Sequence, residues 1–307
     1  MLLVACSANL HAVNVYVGGV VMDGSDRTPA YWLNGTMNLL SLYEPMPDGT
    51  KYAAMAVENG TVYMCVAEKN SRYSGYGVYV YRDGGEEIGE KIGVEYVGDI
   101  KDMAVVNGKA YLGIIGNRYY RVLKNGRNIG CNHCGEHIVA KDGALYYTTH
   151  INDTYTYVDG YYAGGYKHTN NSSLNKYLEV QRIRVINGNL YMMGKDGKGA
   201  CIQTNDTRRD YIEGYGKICK DMAVVKDQYF YIIDNILIRQ NGTSILSSSY
   251  IPLQIIGYGT YLYILYRNNQ GAIPEYYVGV FDPFNNYMAS KYKLPSCVDA
   301  YDFYVED

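Results

Sequence analysis

The stretch KDMAVVNGKAYLG, residues 101–113, decides the fold because it joins two apolar runs through the turn pair Asn107-Gly108. Its first six letters return as KDMAVV at residues 220–225. Asn-Gly supplies the positive φ angles of a two-residue β-turn, and short apolar runs around such a pair are typical of a hairpin. The stretch therefore predicts a β-hairpin that the chain uses more than once.

Similar hairpins recur along the whole chain. The pattern is an apolar run, a turn pair and a tyrosine within a second apolar run. It occurs at residues 55–65, 103–113, 138–148, 183–193, 222–232 and 255–265, with incomplete copies at 10–19 and 297–307. The spacing is about 40 residues, which is the length of a repeat that forms one small sheet.

A second set of turn signals alternates with the first. It is centred on Asn34, Asp83, Asn125, Asp159, Asn205, Asn241 and Asn285. Each repeat therefore holds two hairpins, and four short antiparallel strands per repeat are the signature of a β-propeller blade. The 37 Tyr and 34 Gly, against only 7 Pro, suit half-buried strands joined by tight turns.

The sequence thus predicts an all-β fold, a β-propeller of seven four-stranded blades over residues 8–307. The two incomplete end copies would complete one blade and close the ring, which removes free sheet edges. Six blades are the alternative, because the first copy lacks its Asn-Gly turn and the two end segments could share a blade.

Residues 1–7 are interpreted as a tail or as the remnant of a lipoprotein signal. MLLVACS is similar to the end of a bacterial lipoprotein signal, in which Cys6 would carry the lipid. The apolar run before Cys6 is shorter than the usual signal core, so an ordinary residue near the first strand is the other interpretation.

A family resemblance adds to this interpretation. VYVGGVVMDGSDRTPAYWLNGT, residues 15–36, resembles the YVxG…A.YWxNG repeat of secreted and lipoprotein-type bacterial β-propeller proteins, which are largely uncharacterised. The resemblance implies an extracytoplasmic or cell-surface binding module and implies no reaction. A cytoplasmic location is the alternative.

One position of the repeat varies in chemistry while its neighbours stay alike. It directly precedes the first apolar run of each copy and is occupied by Ala54, Asp102, His137, Arg182, Asp221 and Gln254. Variation on a constant scaffold is typical of a ligand-binding rim, so the polar members are predicted binding residues. The alternative is that they are solvated residues at strand starts with no joint role.

The stretch CNHCGEH, residues 131–137, is the one candidate metal site. Cys131, Cys134 and His137 could supply thiolate and imidazole ligands for zinc, although a usual structural site has a second pair of ligands. A local disulfide and two free thiols are the competing interpretations. Beyond this zinc hypothesis we expect no cofactor.

Two functions are compatible with these features. The first is a non-enzymatic extracytoplasmic module that binds a glycan, peptide or protein through one loop face. The second is a propeller enzyme acting on a polysaccharide or small ligand, with Asp102, Asp221, His137 and Arg182 at the channel mouth. A net charge of −3 without a basic stripe argues against nucleic acid. We expect a monomer that contacts a membrane only through a lipid on Cys6.

Overall fold

A computed structural model describes most of the chain. The described residues are 13–23, 26–39, 51–69, 76–82, 86–87, 99–116, 119–124, 127–128, 134–150, 157–163, 166–169, 178–205 and 208–306. Cys6, Asp83, Asn125 and Cys131 lie outside them. All regular secondary structure within these ranges is β-strand, which confirms the all-β prediction.

The strands are short and follow one another closely. The first fifteen are β1 (Asn14–Asp23), β2 (Asp26–Leu33), β3 (Thr36–Leu39), β4 (Lys51–Glu58), β5 (Thr61–Lys69), β6 (Tyr76–Arg82), β7 (Glu86–Glu87), β8 (Asp99–Val106), β9 (Lys109–Gly116), β10 (Tyr119–Lys124), β11 (Arg127–Asn128), β12 (Cys134–Lys141), β13 (Ala144–His150), β14 (Tyr157–Ala163) and β15 (Tyr166–Thr169). The others are β16 (Leu178–Ile186), β17 (Asn189–Asp196), β18 (Gly199–Thr204), β19 (Arg208–Glu213), β20 (Cys219–Val225), β21 (Gln228–Ile233), β22 (Ile236–Arg239), β23 (Tyr250–Tyr258), β24 (Tyr261–Asn268), β25 (Glu275–Asp282), β26 (Tyr287–Lys293) and β27 (Cys297–Glu306).

The strands form small antiparallel meanders. Four-stranded sheets have the orders β27-β1-β2-β3, β4-β5-β6-β7, β8-β9-β10-β11 and β23-β24-β25-β26, and β20-β21-β22 is three-stranded. An eight-stranded sheet contains the successive meanders β12–β15 and β16–β19, joined where β14 pairs with β16. The last strand of the chain pairs with the first, with Asn14 opposite Glu306. The arrangement is propeller-like.

The predicted tight turns have the expected backbone. Asn59, Asn107 and Asn187 have φ angles of 50°, 52° and 50°, and each is followed by a glycine that also has positive φ. These pairs link the first and second strands of their meanders, as the sequence predicts. Asn34, Asn205 and Asn286 have positive φ at the second set of turns.

The turn predicted at Asp159 is wrong. Asp159 lies inside β14, where Thr149 pairs with Gly160 and His150 pairs with Val158, so the register skips Asp159. An Asp-Gly pair can occur at a β-bulge as well as in a turn. The local pair did not distinguish the two structures.

The first strands of successive meanders contact one another. β4 contacts β8, β8 contacts β12, β12 contacts β16, β16 contacts β20, β20 contacts β23, and β27 contacts both β23 and β4. The neighbouring first strands β4 and β8 run in the same direction, because the end of β4 contacts the turn that follows β8. Glu58, at the end of β4, accepts hydrogen bonds from the Asn107 and Gly108 amides after β8, at 2.6 and 2.7 Å.

The apolar core is divided among the spaces between neighbouring meanders. One cluster packs Ala54 and Val80 against Met103 and Leu112, and another packs Phe230 against Ile264. Clusters of the same kind lie between the other neighbouring meanders. Each of these clusters includes side chains from two meanders, so the core is shared between neighbours. No helix in the described ranges has the length and apolar composition to cross a membrane.

Close approach of two first strands requires a glycine at position 257. A Cβ atom at Gly257 in β23 would lie 2.1 Å from the Val224 carbonyl oxygen in β20. We expect Gly257→Ala to lower the free energy of unfolding by about 1–3 kcal/mol, because the backbones must separate. Urea unfolding measures this loss. Gly214→Ala is the control, since a Cβ there meets nothing within 4 Å. Equal stability of the two variants would contradict the predicted packing.

Candidate functional site

The varying repeat positions that were predicted to form a ligand-binding rim are called the ring positions below. They lie inside the first strands, and not directly before them. Each strand register shifts just before Ala54, Asp102, Arg182, Asp221 and Gln254, and His137 lies within such an irregular stretch. A bulge bends the strand and disturbs its hydrogen-bond ladder. These side chains therefore lie next to backbone groups that need other partners.

Asp302 in β27 occupies the equivalent position of the last copy. Its register also shifts, because Asp302 pairs with Gly18 and Ala300 pairs with Gly19. This copy is recognisable in the sequence, but Asp302 itself was not among the predicted binding residues. Asp302 is followed by Phe303, just as Asp102 and Asp221 are each followed by Met, and this acid–apolar pair was the available signal.

Three of these acids link neighbouring meanders. Asp302 accepts a hydrogen bond from the Met55 amide at 2.9 Å, and Asp102 accepts one from the Ile138 amide at 2.9 Å. Asp221 accepts one from the Ile255 amide at 3.0 Å. Each donor follows the ring position of the next meander. The carboxylates therefore satisfy backbone N–H groups across the boundary between sheets.

Other polar contacts join the remaining neighbours. His137 Nε2 lies 3.2 Å from the Val180 carbonyl oxygen, and Gln254 donates from Nε2 to the Tyr301 carbonyl oxygen. With Glu58 between β4 and β8, and Arg184 between β16 and β20, each pair of successive first strands has a polar link. The ring positions are thus structural as well as candidate binding positions.

Arg184 and Asp221 form a buried ion pair. Arg184 donates from Nε to Asp221 Oδ1 at 2.7 Å and from Nη2 to Oδ2 at 2.6 Å. The Asp221 side chain has no exposed surface. Burial disfavours the charge of Arg184, but the adjacent Asp221 carboxylate outweighs burial and raises the pKa of Arg184. Two charge-assisted bonds make this one of the strongest side-chain contacts in the fold.

Arg182 differs from Arg184 although both lie in β16. Its Nη1 donates to Gln254 Oε1 at 2.9 Å, and its Nε lies 3.9 Å from Asp221 Oδ2. A third of the Arg182 side chain is exposed, at 33%. Of the predicted binding residues Arg182 and Asp221, only Arg182 has surface that a ligand could reach.

Asp102 is an acid with an unusual proton affinity. Burial raises the pKa of Asp102 to about 7, and the nearby Asp302 charge adds to this, although the Ile138 and Met103 amides oppose it. The Met103 amide donates to Asp102 Oδ1 at 2.9 Å. Asp102 is therefore partly protonated near neutral pH, unlike an ordinary aspartate.

Large apolar side chains are exposed mainly at one end of the meanders. We call the side of the meanders where the first strands begin the front face. In each meander, the turn between the second and third strands and the end of the fourth strand also lie on this side. Tyr215 and Ile273 are 89% and 73% exposed, and Ile236, Met22 and Leu39 are also exposed. All five lie at the front end of their meanders by strand order. Phe284 and Tyr287 lie at the opposite end.

The cysteine stretch is only partly described. Cys131 lies outside the described residues, and Cys134 begins β12. Within the described ranges, no group of three or more His, Cys, Asp and Glu side chains is arranged to hold a metal ion. Cys65, Cys201, Cys219 and Cys297 are buried free thiols. The zinc hypothesis for Cys131, Cys134 and His137 stays a prediction.

The similarity of this chain to known proteins lies in its fold. No protein-family model matches the chain, and a comparison with curated proteins finds no significant match. A solved prolyl endopeptidase is similar with a TM-score of 0.58 at 11% identity, over 91% of this chain and 48% of that one. This chain thus spans about half of that enzyme. At this identity the likeness shows the fold alone.

Two further structures are similar at lower scores. A chain of a nidogen–laminin complex has a TM-score of 0.48 at 12% identity, over 96% of this chain and 98% of that chain. The extracellular domain of BT4673 from B. thetaiotaomicron also has a TM-score of 0.48 at 12% identity, over 91% of this chain and 46% of that chain.

Loss of the buried Asp221 carboxylate should lower the stability of the folded state. We expect Asp221→Asn to lower the free energy of unfolding by about 3–5 kcal/mol, because Arg184 would keep a buried charge without its partner. Denaturant unfolding with a fitted slope measures the loss. Lys293→Ala, which breaks the exposed pair with Glu275, should leave stability nearly unchanged. A small effect of Asp221→Asn would show that the ion pair is not a main support of the fold.

The proton affinity of Asp102 makes stability depend on pH. Its pKa is about 7 when folded and lower when unfolded, so the folded state binds the proton more tightly. The contribution of Asp102 is therefore present in acid and is lost as pH rises through about 7. We expect the difference in unfolding free energy between the wild type and Asp102→Asn to change between pH 5 and pH 8. A difference that stays constant over this range would contradict the raised pKa.

Proposed function

We propose that the chain is a closed seven-bladed β-propeller. The supporting observations are the contacts among successive first strands, the return of β27 to both β23 and β4, and the pairing of β27 with β1. The meanders β12–β15 and β16–β19 count as two blades. An experimental density map with six blades or an open ring would contradict this architecture.

We infer that the protein is a non-enzymatic recognition module that binds a protein partner through the front face. The observation that carries this proposal is the exposure of Tyr215, Ile236 and Ile273 at the front ends of their blades. Apolar side chains gain free energy when a partner removes them from water, and larger exposed patches mark interaction sites. In a closed ring, all these ends lie on one face.

The side-chain types favour a protein or peptide over a glycan. Apart from Tyr215, the exposed front side chains named above are isoleucine, leucine and methionine, which have no group that donates a hydrogen bond to a sugar hydroxyl. They complement the apolar centre of a protein interface. An enzyme using Asp102 and Asp221 as acid and base is the weaker alternative, because Asp221 has no exposed surface.

We also propose an extracytoplasmic location. It rests on the resemblance of residues 15–36 to secreted and lipoprotein-type propeller repeats. Lipidation of Cys6 is a separate proposal, which mass spectrometry of the native N-terminus tests. An unprocessed Met1 would contradict it.

The binding face is tested with paired variants of the immobilised chain. The front variant carries Tyr215→Ser, Ile236→Ser and Ile273→Ser, and the control carries Phe284→Ser and Tyr287→Ser at the opposite ends of the blades. Surface and secreted proteins of the source organism are passed over each, and retained proteins are quantified by mass spectrometry. We expect a protein that the wild type and the control retain and that the front variant retains at least tenfold less. Equal retention by all three would overturn the front-face proposal.

A further inference from the structure

We propose that Arg182, in the middle of β16, is the centre of a carboxylate-binding site among the first strands. The carboxylate belongs to the partner polypeptide, as a C-terminus or as an Asp or Glu side chain. This inference rests on the proposed function, because it names the group with which the proposed protein partner would reach the first strands.

The first support is that Asp221 has no capacity left for Arg182. Oδ1 of Asp221 accepts from Arg184 Nε at 2.7 Å and from the Met222 amide at 2.9 Å. Oδ2 accepts from Arg184 Nη2 at 2.6 Å and from the Ile255 amide at 3.0 Å. A carboxylate offers about four acceptor sites, and all four are occupied. Arg182 therefore stays 3.9 Å away, outside hydrogen-bond distance.

The second support is that Arg182 is held in place. Gln254 accepts from Arg182 Nη1 at 2.9 Å through Oε1. The amide nitrogen of Gln254 donates to the Tyr301 carbonyl oxygen, which fixes the direction of Oε1. The guanidinium is thus oriented by a neutral group, and orientation before binding reduces the entropy cost of binding.

The third support is the unused capacity of the guanidinium. An arginine side chain has five N–H donors in a planar fork that fits a carboxylate with two bonds. Among the described residues, Arg182 makes one side-chain hydrogen bond, to Gln254. The Arg182 side chain is 33% exposed, and we expect a ligand oxygen to reach donors that Gln254 does not occupy.

The charge of Asp102 interacts with that of Arg182. Asp102 faces Asp302 and Tyr304 from β27, Arg182 and Arg184 from β16, and the backbone amide of Ile138 from β12. Burial, followed by the Asp302 charge, raises the pKa of Asp102 to about 7. Protonation of Asp102 removes one negative charge close to Arg182. We therefore expect a carboxylate to bind more tightly at pH 6 than at pH 8.

The experiment uses N-acetylglycine as the probe and N-acetylglycinamide as its uncharged match. Binding to the full chain is followed through the NMR signals of the Arg182 side-chain N–H and of the Ile183, Gln254 and Tyr301 backbone amides. We expect N-acetylglycine, but not the amide, to shift these signals. Arg182→Gln should weaken binding at least tenfold, and Arg182→Lys should also weaken it because lysine lacks the planar fork.

Matched variants separate the site from general charge effects. Arg27→Gln removes another partly exposed arginine, which pairs with Asp299, and should leave the probe affinity within twofold of wild type. Asp102→Asn should remove most of the difference between pH 6 and pH 8. Thermal unfolding of every variant identifies any that does not fold, and Arg182→Lys keeps the test valid if Arg182→Gln fails.

Several results would overturn the assignment. One is equal affinity for N-acetylglycine and N-acetylglycinamide, and another is an equal loss in Arg27→Gln and Arg182→Gln. Binding of ethylammonium at the same amides that survives Arg182→Gln would make this a cation site on the acids. A tenfold preference for methyl glucuronide would assign the site to an acidic glycan. Failure here, with partner loss still confined to the front variant, would refute the carboxylate site and leave the binding face intact.

Discussion

The structure depends on how backbone N–H groups are satisfied at the bulges of the first strands. A bulge leaves backbone groups without ladder partners, and leaving them unpaired in the interior would cost free energy. The amides of Met55, Ile138 and Ile255 lie just after such bulges, and each donates to an aspartate of the preceding meander. A local defect of one sheet thus becomes a specific bond to its neighbour.

Polar links and apolar packing have different roles in this arrangement. The apolar clusters between sheets supply most of the stabilisation, but burial of apolar surface has no direction and fixes no exact register. A carboxylate that must reach one amide is directional. Asp221 is the clearest case of such a directional link. It accepts hydrogen bonds from the Arg184 side chain, from an amide of its own strand and from an amide of the next sheet. Burial and pairing together make its position one of the most constrained in the chain.

Much of the fold could be predicted from the sequence, because turns and strands follow local rules. Asn59, Asn107 and Asn187 adopt the positive φ angles that the Asn-Gly pairs predict. Asp159 shows the limit, since the same kind of pair lies at a bulge inside β14. The identity of a turn pair does not determine which neighbouring strand it meets.

The candidate site was less predictable than the turns, because its side chains contact partners in other sheets. The repeat alignment identified Asp102, Arg182, Asp221 and Gln254 as equivalent, and the structure places each directly after a register shift. Alignment did not indicate that Arg184 would take both oxygens of Asp221, because that contact joins two different sheets. Asp302 was missed because its repeat is incomplete in sequence and is completed only by pairing with β1.

The pairing of β27 with β1 also has a consequence for synthesis. β1 is synthesised well before β27, because the paired residues Asn14 and Glu306 lie about 290 positions apart in the chain. At ordinary rates of translation the interval is about 15–60 s. During that time the inner edge of β1 has no partner strand from its own chain, and an unpaired strand edge is open to association with other chains. We therefore expect the edge of β1 to need protection until β27 has emerged.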